Sequence, residues 1–313
     1  MRLLVTGCAG FIGSNLIDKL LMMNFQVVGI DNFDKYYDRN IKESNLNSAS
    51  KNINFKFFEI DIRNKNEFEI INQKFDFIIH LAAKAGVRPS LENPGEYISV
   101  NVLGTLNVIE FAKINGIENV IFASSSSVYG INDNLPWNEY DLDLKPISPY
   151  AITKISGELL GKTFSHLYNI NFTSLRFFTV YGPRQRPDLA INSFFSKIIN
   201  NEPITLFGDG SSIRDYTFVS DIINGICNLL NANLKGYNVY NFGSSNPIKL
   251  NDMIKSIENI VQKKAILKYT VNQIGDAPMT FSDSSKALID LGFKSEIDFN
   301  QGIALYFKWL NEK

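Results

Sequence analysis

The chain has 313 residues, 45% of them hydrophobic and 20% charged, with a formal net charge of -1. That length buries a substantial core in one large or two ordinary domains, and the composition excludes intrinsic disorder. The near-neutral balance sets up no field selecting nucleic acid or an anionic membrane, and two cysteines with two histidines supply neither a disulfide framework nor zinc-like spacing.

The first residues, MRLLVTGCAGFIGSNL, lack the separate apolar block and cleavage site of a secretory leader, and no apolar run reaches the length of a membrane span. A cytoplasmic protein without membrane or nucleic-acid partners is expected. In chain order, RLLVTG, QVVGIDN, NFKFFEIDI, DFIIHLAA, NVIFASSS and FTSLRFF read as β-strands. Helical patterns at 13–23, 65–73, 97–114 and 151–168 lie between them. This alternation predicts an α/β fold with a Rossmann-type, doubly wound parallel sheet, its strands buried on both faces. Beyond Phe177 prolines and glycines punctuate shorter elements, while VYNFGS (239–244) reads as one further sheet strand. The expected division is therefore 1–177 with 216–244 for the Rossmann domain, interleaved with a smaller C-terminal α/β substrate domain of 178–215 and 245–313.

The segment VTGCAGFIG places Gly7, Gly10 and Gly13 directly after a strand and at the start of a helix. Gly7 permits the tight turn, Gly10 lets the backbone approach a pyrophosphate, and Gly13 allows close helix–strand packing at an electropositive helix N-terminus. Asp31 ends the second strand, where a carboxylate bonds the ribose hydroxyls and repels a 2′-phosphate, which favours NAD over NADP. Downstream, ISPYAITKISGE sets Tyr150 and Lys154 at i and i+4, on one helical face. A phenol is a poor base at neutral pH, and a nearby ammonium is expected to lower its pKa toward useful values. The serine cluster that ends the fifth strand offers a hydroxyl for a reacting oxygen.

With GxxGxxG, Asp31–Asn32, Asp61–Ile62, HLAA, SVYG, YxxxK and GDGSSIRDYTFVSD in place, nearly the whole chain resembles the extended short-chain dehydrogenase/reductase family. Within that family it resembles the nucleotide-sugar epimerases and dehydratases. The resemblance implies that Tyr150 is the catalytic base and acid, that Lys154 binds the nicotinamide ribose and depresses the tyrosine pKa, and that Ser125 is the third catalytic member. It also implies NAD contacts from Phe11, Ile12, Asn32, Asp61, Ile62, Leu81, Ala82, Ala83, Lys84, Asn101, Ser124, Phe177 and Val180, beside the glycines and Asp31.

Dehydratases of this family carry Asp-Glu immediately before VYG, whereas this chain has Ser126 and Ser127, which cannot supply that acid–base chemistry. The expectation is 4-epimerisation through a 4-keto sugar. DNFDKYYD with IKESNL, AGVRPSLENP and RFFTVYGPRQRPDLA resemble UDP-glucuronate 4-epimerases, so the substrate expected is UDP-glucuronate and the product UDP-galacturonate. Oxidation at C4 makes a β-keto acid prone to losing carbon dioxide, and the hydroxyls of Ser126, Ser127 and Thr179 would hold the carboxylate without a charge. Further substrate contacts implied by the resemblance are Arg88, Thr205, Phe207, Arg214 and Asp276, with Arg186 as a mobile contact. Gln273 stands where many relatives have an arginine for the diphosphate. A homodimer through the two long helices is also expected. The competing readings are a UDP-glucose or UDP-N-acetylglucosamine 4-epimerase, a UDP-glucuronate decarboxylase, and a non-catalytic NAD-binding protein.

Overall fold

The computed structural model describes residues 1–271, 275 and 277–312; Gln273 and Asp276 therefore lie outside the described residues. Seven strands form the main sheet: β1 (Arg2–Thr6), β2 (Gln26–Asp31), β3 (Phe55–Glu59), β4 (Phe77–His80), β5 (Asn119–Ser125), β6 (Asn171–Phe177) and β10 (Tyr237–Phe242). The remaining strands are β7 (Thr179–Tyr181), β8 (Pro203–Phe207), β9 (Ile213–Phe218), β11 (Pro247–Lys249) and β12 (Ile266–Thr270).

The main sheet runs β10-β6-β5-β4-β1-β2-β3 with every pairing parallel. The chain runs outward on either side of the β1/β4 boundary, and the carboxyl ends of those two strands leave a crevice where an α/β sheet takes its ligand. Their side chains are apolar on both faces because helices cover both: Leu3 and Val5 pack on one face of the sheet, Leu4 and Ile78 on the other. The helix Phe11–Met22 covers the first face with the helix Val219–Leu229, and Gly104–Ile114 with Pro149–Tyr168 covers the second.

A second core is built on β7, β9 and β11, whose order is β11-β9-β7, and on the parallel pair β12-β8. It collects Phe195, Ile257, Ile303 and Tyr306 beside Tyr216 and Phe218 of β9. The side chains thus pack differently from the expected boundaries: Tyr216 and Phe218 belong with the second core, while Ala287, Leu291 and Phe293 join the first. Phe293 does so by stacking on Phe242 of β10, with ring centroids 4.2 Å apart and planes 7° from parallel. Composition along the chain cannot register such a return.

Two expected helices differ in kind. Residues 65–73 yield only a 3-10 segment, Lys65–Ile70, because Phe68 is its sole buried side chain and no apolar stripe anchors a longer helix. The helix expected at 97–114 is helical throughout but widens to a π segment at Ile98–Leu103. Gly104 follows it, and a Cβ there would come within 2.6 Å of Ile62 Cδ1, so the helix lies close against that side chain. Among the described residues no helix is long and apolar enough to cross a membrane.

Candidate active site

A single cleft at the β1/β4 crevice gathers the glycine turn, the strand-end acids and the Tyr–Lys pair. Gly7 adopts φ +69°, the left-handed region, and a Cβ there would lie 2.7 Å from the Ala82 backbone nitrogen. Gly10 N donates to Gly7 O at 3.1 Å, closing the turn. Asp31 accepts from Ala9 N at 3.1 Å and Phe33 N at 2.9 Å, which aims its carboxylate along the cleft. Burial raises the Asp31 pKa, while those backbone donors and the Lys42 ammonium oppose the rise.

Beyond Asp31, Asp61 accepts from Asn32 Nδ2 at 3.1 Å and from Arg63, whose hydrogen bonds hold its carboxyl down at about 2. It therefore stays ionised through the physiological range. Phe11, Ile12, Gly13, Asn32, Ile62, Leu81, Ala82, Ala83, Lys84, Ser124 and Phe177 also line the cleft. Asn101 and Val180 do not. Asn101 Oδ1 accepts from Lys84 N at 2.8 Å, and its Nδ2 donates to Lys84 O at 2.9 Å and Thr153 Oγ1 at 3.0 Å. Its amide is consumed in tying the Lys84 backbone to the neighbouring helix, so it stands behind the lining instead of in it.

Asp34, Tyr36, Tyr37 and Lys42 line the same cleft, and sequence reasoning assigned none of them a role, although DNFDKYYD carried the signal. The Tyr37 hydroxyl is buried without a partner among the described residues. An orphaned hydroxyl in a cleft that Asp31 also lines is what a ribose-bearing ligand would satisfy, so these residues fit a dinucleotide.

The proton-handling groups meet at the other end. Ser148 caps the helix Pro149–Tyr168 by accepting from Ala151 N, and Pro149 fills its first turn, so the helix starts two residues earlier than expected. Tyr150 thus stands at the helix start and lines the cleft together with Ser125 at the end of β5. Tyr97 meets the Tyr150 ring edge to face, with centroids 6.3 Å apart. Lys154 Nζ donates to Ala123 O at 2.7 Å.

The electrostatics correct one expectation. One side of the Tyr150 ring opens on the cleft, yet the protein around it is dense enough that desolvation raises the phenol pKa. The Ser125 hydrogen bond and the Arg186 charge pull the other way. Lys154 is not the group that lowers it: burial brings the lysine's own value down to about 7 against the attraction of Glu158. His80, between Thr6 Oγ1 (2.7 Å) and Thr105 Oγ1 (3.0 Å), is depressed to about 3 by burial and by Lys154, so it is neutral.

Arg186, expected as a mobile substrate contact, is ion-paired with Asp188. Its Nε and Nη2 donate to Asp188 at 3.0 and 2.9 Å, and its guanidinium sits 5.1 Å from the Tyr36 ring centroid. It lines the cleft all the same. Ser126 and Ser127 form a short turn directly after Ser125; Ser125 Oγ donates to Ser127 Oγ and accepts from Ser127 N, both at 3.1 Å. Thr179 opens β7 two residues beyond β6. Arg88 lies 4.7 Å from the centroid of Phe207, the last residue of β8, and Thr205 sits in the same strand. Arg214 Nη1 donates to Ile213 O at 2.8 Å and Pro278 O at 3.3 Å. None of these last seven residues lines the cleft itself.

Relatives share this architecture over the full chain. A UDP-glucuronate 4-epimerase of Thermodesulfobacterium geofontis is 41% identical, with 99% of this chain and 96% of that protein aligned. The UDP-glucuronic acid 4-epimerase of Bacillus cereus, solved with UDP-glucuronic acid and NAD, superposes with a TM-score of 0.93 at 34% identity over 100% of this chain and 99% of that one. A UDP-N-acetylglucosamine 4-epimerase of Methanobrevibacter ruminantium reaches 0.91 at 31% identity, over 99% and 98%. The two TM-scores are too close for backbone shape to separate the substrates. The family model for "NAD dependent epimerase/dehydratase" matches residues 3–243, and this chain is a member of that family.

Proposed function

We propose that the chain is an NAD-dependent UDP-glucuronate 4-epimerase, interconverting UDP-glucuronate and UDP-galacturonate. The observation that carries this reading is that Ser125, Tyr150 and Lys154 line one cleft, with two further hydroxyls, Ser126 and Ser127, in the turn adjoining Ser125 and no carboxylate in that turn. The full-length likeness to UDP-glucuronate 4-epimerases supports the same substrate.

Gly7, Gly10 and Gly13 would hold the NAD diphosphate, Asp31 and the Tyr37 hydroxyl its adenosine ribose, and Lys154 its nicotinamide ribose. Bound NAD supplies a hydride acceptor that later returns the hydride to the same sugar carbon. Tyr150 takes the proton from the sugar's O4 and gives it back, while Ser125 bonds that oxygen throughout. Ser126, Ser127 and Thr179 cannot act as acids near neutrality, so water elimination from the sugar is not driven. Held by neutral hydroxyls, the substrate carboxylate keeps its solvation and is not pushed toward loss of carbon dioxide. Arg88, Thr205, Phe207 and Arg214 would meet the uridine diphosphate; Asp276 belongs to the same expectation.

Purified protein incubated with UDP-glucuronate should give an isobaric product that chromatography resolves as UDP-galacturonate. A product lighter by carbon dioxide would make the enzyme a decarboxylase. Turnover of UDP-glucose or UDP-N-acetylglucosamine alone would sink the substrate assignment.

The reading includes a homodimer. Ile98 and Leu103 on one helical run and Ile152 and Leu159 on the neighbouring helix are 47–58% exposed, an apolar surface in need of cover. Light scattering should return twice the 35.4 kDa chain mass, and a monomer at micromolar concentration would remove the dimer from the reading. A cytoplasmic setting fits the buried, unpaired Cys8 and Cys227.

A further inference from the structure

Asp31 ends β2, and a loop, 32–38, follows it until Asp38 caps the helix Arg39–Leu46 by accepting from Asn40 N at 2.8 Å. Asp34 shapes this loop: its Oδ1 accepts from Tyr36 N at 2.9 Å and from Lys84 Nζ at 2.8 Å. Lys84 also pairs with Glu96 at 2.9 Å and is only 11% exposed, so the loop is anchored to the segment after β4. A second loop, 182–189, follows β7. Within it Arg184 adopts φ +67°, a left-handed conformation that a residue with a Cβ disfavours. Two contacts hold it there: Arg184 Nη2 donates to Asp18 Oδ2 at 2.6 Å, and Asn15 Nδ2 donates to Pro183 O at 3.0 Å. Both partners lie on the helix Phe11–Met22, which leads out of the glycine turn.

The two loops, anchored separately, meet beyond their anchors. Tyr36 Oη donates to Asp188 Oδ2 at 3.3 Å, across 152 positions of chain. Arg186 orients the same carboxylate with a fork, Nε to Oδ1 at 3.0 Å and Nη2 to Oδ2 at 2.9 Å. Its guanidinium stands 5.1 Å from the Tyr36 ring centroid, and Lys84 Nζ stands 5.6 Å from it. Tyr36 and Arg186 line the cleft, whereas Asp188 does not. The Asp188 side chain is 43% exposed against 15% for Arg186, so the carboxylate joins the loops from the solvent side. A 3.3 Å bond to an exposed carboxylate is long and screened by salt, while the anchors are shorter and less exposed. The junction therefore opens before the anchors do.

We infer that Tyr36 and Asp188 are positioning residues that latch these two loops together at the cleft and so slow the departure of bound NAD. The inference rests on the NAD-dependent epimerase reading above, which also gives the latch its use. A cofactor that takes a hydride and returns it to the same carbon serves by staying bound between turnovers. Opening the latch frees the loop that begins beside Asp31 from the loop that carries Arg186. A bond that must break before the ligand leaves acts mainly on the dissociation rate.

The test is the rate at which bound NAD exchanges with an excess of radiolabelled NAD, with no sugar present. It compares NAD-loaded wild type, Tyr36→Phe, Asp188→Ala and the double variant. Tyr36→Phe keeps the ring beside Arg186 and removes only the hydroxyl. Each single variant should exchange about fivefold faster, the upper end for a partly exposed charged contact. Both substitutions remove the same bond, so the double variant should be no more than about twofold faster than either single one. Asp252→Ala breaks an exposed pair with Lys255 on a helix of the second core, and it should exchange at the wild-type rate. Wild-type exchange in either single variant overturns the inference. So does a double variant whose increments multiply, because the two residues would then act independently. Equal acceleration in Asp252→Ala does so too, since loss of surface charge would account for it. A wild type that holds no NAD removes the functional reading and this inference with it; an active epimerase with unmoved exchange removes the inference alone.

Discussion

Tyr150→Phe will lower turnover of UDP-glucuronate by roughly 10³-fold, within the range that general acid–base catalysis contributes, while leaving NAD bound. The phenylalanine ring keeps the edge-to-face contact with Tyr97, and the cap of the helix rests on Ser148 and Ala151, not on the phenol. What disappears is the phenol that lines the cleft with Ser125 and can take a proton from the sugar. Because burial holds the phenol pKa up and Arg186 pulls it down, base strength here depends on charge brought near the ring rather than on the tyrosine alone. Steady-state kinetics together with the cofactor content of the purified variant decide the matter. Turnover within a few-fold of wild type would refute Tyr150 as the base.

The second large effect is expected at Gly13. A Cβ there would fall 2.2 Å from Gly7 O and 3.0 Å from Cys8 Cα. Both are backbone atoms of the phosphate-facing turn, so no rotamer change relieves the clash and the turn itself must open. Overpacking of this kind typically costs about 1–3 kcal/mol. The NAD site shares the same backbone, so apparent affinity for NAD should weaken by at least roughly tenfold, about 1.4 kcal/mol. Gly95→Ala is the control: its Cβ would meet nothing within 4 Å, and stability and NAD binding should stay at wild-type values. Calorimetric titration of apo protein with NAD reads the difference. Equal affinity in Gly13→Ala and wild type would dismiss the glycine turn as the phosphate site.

Much of the site can be read without coordinates because its signals are local. A glycine turn between strand and helix, an acid ending the next strand, and a tyrosine and lysine at i and i+4 are each set by a few consecutive residues. The strand-end serines add a fourth such signal. Their assembly follows from sheet order: β1, β4 and β5 are neighbours, so Gly7, Leu81 and Ser125 reach the same carboxyl edge. Ser126 and Ser127, in place of acids, carried the chemical choice between elimination and epimerisation.

Other features had no local signature. The π segment at Ile98–Leu103 reads as ordinary helix in sequence, and the buried Asn101 it carries turned out to brace Lys84 rather than line the cleft. Tyr36 and Arg186 meet at Asp188 across more than 150 positions of chain. The Tyr150 shift also lacks a local signature: burial raises the phenol pKa, and Arg186, distant in the chain, opposes the rise. Strand and helix periodicity, glycine turns and charge spacing are properties of adjacent residues, and the sequence by itself determines them. The ionisation of Lys154, the approach of Arg186 to the Tyr36 ring and the Glu158–Arg176 ion pair depend on desolvation and Coulomb terms summed over segments that are distant in the chain. Only the tertiary structure brings those segments together, so only it decides them.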